Sequence, residues 1–271
     1  LLIHIDDMRA GYQKILGHVV MRGRHVAPRG KQTLELPSTT IHLTDPTACI
    51  ATGISRGFSM KFAYAEAIQL LGGFSDVPQF CDWFPQMKAF LDDGIMHGAY
   101  GPRIRAQVTN VLERLTADPE SRQAVIQIWE KEKDLSGRQN LHDYPCTLSL
   151  QFLIRDGCLE LHTTMRSNDV WLGTPYDIFQ FCFLQLNVAE LLQVDVGDYY
   201  HHANSLHAYM TDMSGIMKVQ HAEIAHDVSQ LQPLGVTVRA HQQWVCEQIW
   251  HGNDATLSTD GARIACKALH G

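Results

Sequence analysis

The chain is short of three things, and each shortage excludes something. No apolar run approaches the roughly 20 residues that a bilayer-spanning helix needs, so no helical membrane span is expected. Cysteine is not scarce, but C-x-x-C pairs are absent. The seven cysteines, at 49, 81, 146, 158, 182, 246 and 266, are odd in number and scattered, which argues against a disulfide scaffold or a zinc site and fits reduced thiols in a cytoplasmic protein. Positive charge is also short: 22 Lys and Arg against 29 Asp and Glu leave a net charge of −7. Without a basic field, neither nucleic acid nor an anionic membrane is an expected partner, and any phosphate must be held by a local arginine cluster. The opening Leu-Leu-Ile-His-Ile-Asp-Asp lacks the basic and long apolar regions of a signal peptide, and begins at Leu rather than Met.

What is present reads as an ordinary globular chain of 271 residues, 45% hydrophobic and 19% charged, long enough to bury a substantial core. No repeat, low-complexity tract or linker divides it, so a single domain over 1–271 is expected. Apolar spacing predicts a helix over 5–22, with Asp6 and Asp7 in its first turn. A basic, Gly- and Pro-punctuated loop over 22–31 leads to a strand at 32–36. A helix over 59–71 should stop at Gly72-Gly73, followed by a short helix at 84–91, a turn at 98–101, a helix at 102–116, a strand at 124–129 and a charged loop over 130–140. Thr147–Arg155 and Leu159–Arg166 alternate as strands around Asp156-Gly157, a two-residue hairpin signal. Residues 175–194 form an almost wholly apolar helix, expected to be the central buried one. Strands at 196–201 and 235–239 and a helix at 208–219 complete the reading.

Several residues could carry chemistry. Cys146, behind Pro145 at a strand edge, is a nucleophile if cations stabilise its thiolate, and a small core residue otherwise. Pairing it with His207 would suggest a thiol hydrolase, but no signature of one surrounds it. Glu66 stands in an apolar helix, where a carboxylate is either ion-paired or held with a raised pKa. Arg166 and Ser167 offer a guanidinium fork and a hydroxyl to a phosphate monoester, or simply end a strand in water. Asp177 follows Thr174-Pro175-Tyr176, a capping-box pattern that needs no function. His201, His202 and His207 lack metal-ligand spacing, so no metal is expected.

Read together, Tyr144-Pro145-Cys146, Gln151-Phe152, Arg166-Ser167-x-Asp169, Leu172-Gly173-x-Pro175 and His207-x-Tyr209 resemble the signature series of the thymidylate synthase family in order and spacing. Glu66 with Gly73, Tyr100-Gly101 and Asp118-Pro119-x-Ser121-Arg122 extend the resemblance over roughly residues 5–220. It implies an α/β fold in which a twisted, mostly antiparallel sheet is packed by helices around the long buried helix, and a homodimer formed through the sheet face. By the same resemblance, Cys146 adds to C6 of a pyrimidine nucleotide, Glu66 manages proton transfers and Tyr100 assists at C5. Arg166 and Ser167 hold the 5′-phosphate with Arg122 of a second subunit and an N-terminal-loop arginine, Arg29 or Arg24. His207 and Tyr209 hold the sugar hydroxyl. Asp169, Leu172 and Gly173 face the co-substrate, 5,10-methylenetetrahydrofolate.

The departures narrow the reading. Thymidylate synthases usually carry His after the nucleophile, a second Arg after Arg122, and an asparagine that reads uracil where this chain has Thr147, Gln123 and Asp177. An amide matches uracil N3–H and O4 together, whereas an ionised carboxylate only accepts, which suits the N4 amino group of cytosine and a protonated N3. Asp177 therefore resembles the cytidylate (CMP or dCMP) 5-hydroxymethylases of the family, in which water captures the methylene intermediate. A cytidylate 5-methyltransferase, a thymidylate synthase and a catalytically silent nucleotide-binding protein are the alternatives.

Overall fold

The computed structural model describes residues 1–51, 57–135, 141–223 and 229–271. Among them eight strands form one sheet: β1 (Leu2–Ile5), β2 (Arg24–Val26), β3 (Thr33–Leu43), β4 (Val125–Gln127), β5 (Thr147–Arg155), β6 (Cys158–Met165), β7 (Asn168–Asp169) and β8 (Asp195–Tyr209). The order across it is β1-β3-β8-β6-β5-β4, with β2 beside β3 and β7 beside β8. The β2/β3, β3/β8, β4/β5 and β5/β6 pairs are antiparallel, while β1/β3, β6/β8 and β7/β8 are parallel. At the expected hairpin, Asp156 and Gly157 have φ of 51° and 82°, the doubly left-handed turn whose twist matches antiparallel strands.

The helices are α1 (Met8–Arg22), α2 (Met60–Gly72), α3 (Val77–Trp83), α4 (Tyr100–Ala117), α5 (Lys131–Asp134), α6 (Thr174–Leu192), α7 (Met213–Gln220), α8 (Arg239–Trp250) and α9 (Asp260–His270). As expected, α6 is the central one, buried from Ile178 to Ala189 against the sheet and α2. Its buried polar residues are ties. Gln185 donates to the carbonyls of Leu159, Gly197 and Asp198, and Asn187 to that of Phe183, so no amide N–H is stranded among hydrocarbon.

The other face of the sheet is partly open. In-register neighbours His4, His42, Tyr200 and His162 form a row of rings across β1, β3, β8 and β6. His42 and His162 stack on the two sides of Tyr200 at 4.4 and 4.5 Å between centroids.

Several expectations need correction. Helix α1 starts at Met8, because Asp7 caps it from outside by accepting from the amides of Arg9 and Ala10, and residues 2–5 are a strand. The helix expected at 84–91 lies earlier, at α3, where Asp76 caps and Pro78 sits in the first turn, and Pro85–Phe90 is only 3-10 helix. Tyr100 opens α4 rather than lying in a turn. The strand at 196–201 runs on to Tyr209, paired along most of its length with β3, and pushes the next helix back to Met213. Residues 235–238 form no strand; Glu190 Oε2 takes the amides of Gly235 and Val236 and holds them as a loop. In the charged stretch, Lys131–Asp134 is one helical turn, while 136–140 lie outside the described residues.

Candidate active site

Cys146 stands immediately before β5, at the end where β6 runs out into Arg166. The backbones meet there, the amide of Arg166 donating to the carbonyl of Cys146 at 2.9 Å. Arg166 then folds back over the same segment. Its Nε donates to the carbonyl of Pro145 at 2.9 Å and Nη2 to that of Tyr144 at 3.2 Å, with Nη2 3.8 Å from the thiol Sγ. The guanidinium also lies 5.6 Å over the Trp129 ring, which leaves its charge beside the sulfur. Two forces oppose at Cys146: burial pushes the thiol up and Arg166 pulls it down, and burial dominates.

An open cleft of about 480 Å³ adjoins this corner. Arg29, Arg166, Ser167, His207 and Tyr209 line it together, five residues drawn from three distant parts of the sequence. Arg29 is exposed and left-handed at φ 52°, at the turn between β2 and β3. Ser167 Oγ and His207 Nδ1 are 3.4 Å apart, and His207 packs edge-on against Tyr209. Of the two candidate loop arginines, Arg24 is instead engaged by Glu35 at 2.6 Å. Ser205 and Arg24 hold the Glu35 carboxyl below the usual carboxylate range. Arg122 is exposed and does not line the cleft; its carbonyl accepts from Gln151 beside β4.

Around Cys146 the side chains are acidic and poorly hydrated. Glu66, on α2, is pushed well above the ordinary carboxylate value by burial, then by Asp177 and Asp143. Tyr100 is pushed up by burial and by Asp177 and Cys146, and its oxygen accepts from Thr147, from the amide at 3.3 Å and the hydroxyl at 3.1 Å. Asp143, unremarked in the sequence, is raised by burial, although the Gly98 amide donates to it at 2.7 Å. The feature that could have marked it is a carboxylate three residues before the nucleophile.

The capping-box reading of Asp177 does not hold. Gly173 occupies the cap position of α6, and the Thr174 hydroxyl donates to Asn168 Oδ1 at 2.5 Å rather than capping. Asp177 accepts from Asn168 Nδ2 at 2.7 Å on one oxygen and from Gln180 Nε2 at 3.0 Å on the other. Burial still pushes its carboxyl up to about 7, against the lowering effect of both amides. Gly173 makes room for this: a Cβ there would lie 3.0 Å from Asp177 Oδ2 and 3.2 Å from Asn168 Nδ2. Asp169 accepts from the amides of Trp171 and Leu172, fixing the turn that leaves Leu172 60% exposed. Asn168 and Gln180 were not singled out from the sequence, because a polar residue beside Asp169 and another within an apolar helix read as incidental. Among the described residues, no cluster of His, Cys, Asp or Glu could hold a metal ion. No described helix is long and apolar enough to cross a membrane.

Comparison with known proteins gives a concordant result. The family described as thymidylate synthase matches residues 10–248. A deoxyuridylate hydroxymethyltransferase of Bacillus phage SP01 is 32% identical over 253 residues, 87% of this chain and 63% of that protein. The chain thus spans under two thirds of that relative. A thymidylate synthase of Bacillus licheniformis is 31% identical over 130 residues, 44% of this chain and 45% of that one. In three dimensions, thermostable thymidylate synthase A from Bacillus subtilis superimposes with a TM-score of 0.67 at 20% identity, over 81% of this chain and 86% of that one. With the match running from α1 into α8, and the fold shared as well, the chain belongs to the thymidylate synthase family.

Proposed function

We propose that the protein is a one-carbon transferase that hydroxymethylates C5 of a cytidine monophosphate, CMP or dCMP, with 5,10-methylenetetrahydrofolate as co-substrate. The observation that carries the base assignment is the double amide grip on Asp177. With Asn168 and Gln180 both donating to it, the carboxylate has only acceptor lone pairs left for a base, which suits the cytosine amino group and would oppose uracil O4. Two acceptors facing each other without water would cost about 1–3 kcal/mol.

Cys146 adds through sulfur to C6, and Arg166 beside it favours the thiolate. Asp177 stabilises a proton on N3 as negative charge develops in the ring. Glu66, its carboxyl pushed up by burial and the neighbouring acids, is the proton carrier at the carbonyl side and for the entering water, and Tyr100 serves at C5. Arg29, Arg166 and Ser167 bind the phosphate, with Arg122 supplied by the second subunit of a homodimer that pairs through the ring-bearing sheet face. His207 and Tyr209 bind the sugar. When bound, the folate supplies the methylene group that C5 attacks. The exposed Leu172, beside Asp169 and Gly173, offers apolar surface that fits its ring system.

A second reading has specific support. The SP01 relative is named for deoxyuridylate, and a carboxyl titrating at about 7 could, when neutral, donate to O4 while accepting from N3–H. Incubating the protein with the folate and each of UMP, dUMP, CMP and dCMP, and weighing the products, separates the two. A gain of 30 mass units on a cytidylate supports the proposal, and turnover confined to uridylates overturns it. A gain of 14 mass units keeps the base and rejects the water step.

A further inference from the structure

Behind Asp177 a file of buried polar side chains runs away from the cleft. Asn168 Oδ1 lies 2.9 Å from His201 Nε2, His201 Nδ1 lies 2.8 Å from the Tyr199 hydroxyl, and that hydroxyl lies 3.1 Å from Thr163 Oγ1. Asn168, Thr163, Tyr199 and His201 are each buried to within 2%. The file spans β7, β8 and β6, and it ends at Thr163, an uncharged side chain.

Every member can serve in either direction. With Asp177 ionised, Asn168 donates to it, so Asn168 Oδ1 must accept from His201 Nε2–H and His201 Nδ1 must accept from Tyr199. Tyr199, its one hydrogen spent, then accepts from Thr163. With Asp177 neutral the whole file can turn over. The carboxyl O–H donates to Asn168 Oδ1, the amide swings its N–H to His201 Nε2, Nδ1–H donates to Tyr199, and Tyr199 donates to Thr163. The Thr174 hydroxyl follows, because the carbonyl of Asp169, 3.1 Å away, can take its hydrogen. In both states every link of the file from Asp177 to Thr163 joins one donor to one acceptor.

We propose that Asn168, His201, Tyr199 and Thr163 form a reversible hydrogen-bond file that takes the Asp177 proton on the side away from the base, so that base choice does not relax when Asp177 is neutral. This rests on the reading that Asp177 faces the base. It deepens that reading by answering the rival one, since a neutral carboxyl whose O–H points at Asn168 still meets the base as an acceptor. The other titratable groups around Asp177 are Asp169, Glu66, Tyr100 and Cys146, and beside His201 stands His202. The groups facing Asp177 itself include no cation that would draw the proton back, and burial holds His201 neutral, down to about 3. Asn168, His201, Tyr199 and Thr163 are positioning residues, acting through Asp177.

The file makes a spectroscopic prediction independent of substrate. In free protein labelled with ¹⁵N-histidine and ¹³C-aspartate, His201 should change from the Nε2–H to the Nδ1–H tautomer as pH falls, with the same midpoint as the Asp177 carboxyl. A His201 tautomer that stays fixed while Asp177 titrates overturns the file. So does an Asp177 that stays in one state between pH 5 and 9. Calorimetric binding of CMP, dCMP, UMP and dUMP at pH 6 and pH 8 supplies the second arm. In the wild type the cytidylate-to-uridylate ratio should hold within about threefold between the two pH values.

Tyr199→Phe leaves the turned-over state with a stranded His201 N–H, a costlier defect than a bare ring nitrogen, so the proton should return to the base side. The ratio at pH 6 should then fall about tenfold, with the ratio at pH 8 nearly unchanged. An equal ratio at both pH values in Tyr199→Phe overturns the proposal, as does a wild-type ratio that collapses at pH 6. If Tyr199→Phe does not fold, Thr163→Val, which removes the last acceptor, is read in the same way. A wild type that prefers uridylates at pH 8 defeats the base assignment alone, and the tautomer measurement still judges the file.

Discussion

Asp177 and Gln180, three residues apart on α6, are joined by a 3.0 Å hydrogen bond from the Gln180 side-chain amide to the carboxylate. The carboxylate is therefore gripped from within its own helix as well as from Asn168 on β7. An asparagine at 177 would have to keep its oxygen toward Asn168 and turn its own N–H₂ toward Gln180, where two amide donors would collide until Gln180 rotated. Asp177→Asn should weaken cytidylate binding about tenfold or more and move preference toward uridylates, read as Kd for the four nucleotides. Unchanged base preference would remove Asp177 from base recognition.

The same carboxyl links stability to pH. Its folded value of about 7 is above the ordinary 3.8, so the stability it contributes is fully present below about pH 4 and is lost as pH rises through about 7. Glu66 acts in the same direction. Asp177→Asn should flatten the decline in Tm of the free protein between pH 5 and 8, with a gain at pH 8 of about 2 °C or more. A steeper decline in the variant would reverse the sign argued here.

Arg166 is the cation beside the Cys146 sulfur, 3.8 Å away. Removing it leaves burial unopposed and raises the thiol further. Arg166→Ala should slow iodoacetamide alkylation of Cys146 at pH 8 by about tenfold, the effect of one pKa unit, and shift the rate profile to higher pH. Alkylation must be followed by peptide mass, because Cys158 is also partly exposed.

Beneath the cleft, Arg103 grips Asp134 with both terminal nitrogens at 2.7 and 3.0 Å, and both side chains are buried. Arg103→Ala strands a buried carboxylate and should cost about 3–5 kcal/mol in urea unfolding. The double change Arg103→Leu with Asp134→Leu should cost less than the single one, since no buried charge remains.

Arg122 is exposed and lies outside its own chain's cleft, so the proposed dimer has a clear signature. Arg122→Ala and Cys146→Ala should each be nearly inactive alone. Mixed and allowed to exchange subunits, they should recover up to about a quarter of wild-type activity, because half of the random dimers contain one intact site. No recovery, under conditions where exchange is demonstrated, would place Arg122 outside the partner's site.

The parts of the fold legible in sequence were those governed by local rules. The Asp156-Gly157 hairpin, the Gly72-Gly73 stop of α2, and the long apolar α6 all follow from short-range pattern. Helices α8 and α9 were missed because their apolar positions are broken by polar residues, and only packing against α2 shows which face is inner. The length of β8 was invisible for a similar reason. The expected strand stopped at His201, yet β3 pairs with most of the stretch from His202 to Tyr209 and makes it strand. At the site, Arg29, Arg166, Ser167, His207 and Tyr209 line one cleft, while Arg122 lies outside it. Asn168 and Gln180, which grip Asp177, follow only from three-dimensional contact.

The close approach of Gly173 to Asp177 and Asn168 has a consequence for how such a protein changes over generations. Positions 168, 173, 177 and 180 form one interlocked set, so the effect of a substitution at any of them depends on what stands at the other three. A lineage that exchanged only position 177 would pass through an ancestor that read neither base well, while one that first altered Gln180 would have an open route. The order in which mutations arrive, more than their number, would decide whether descendants of this gene could move between pyrimidines.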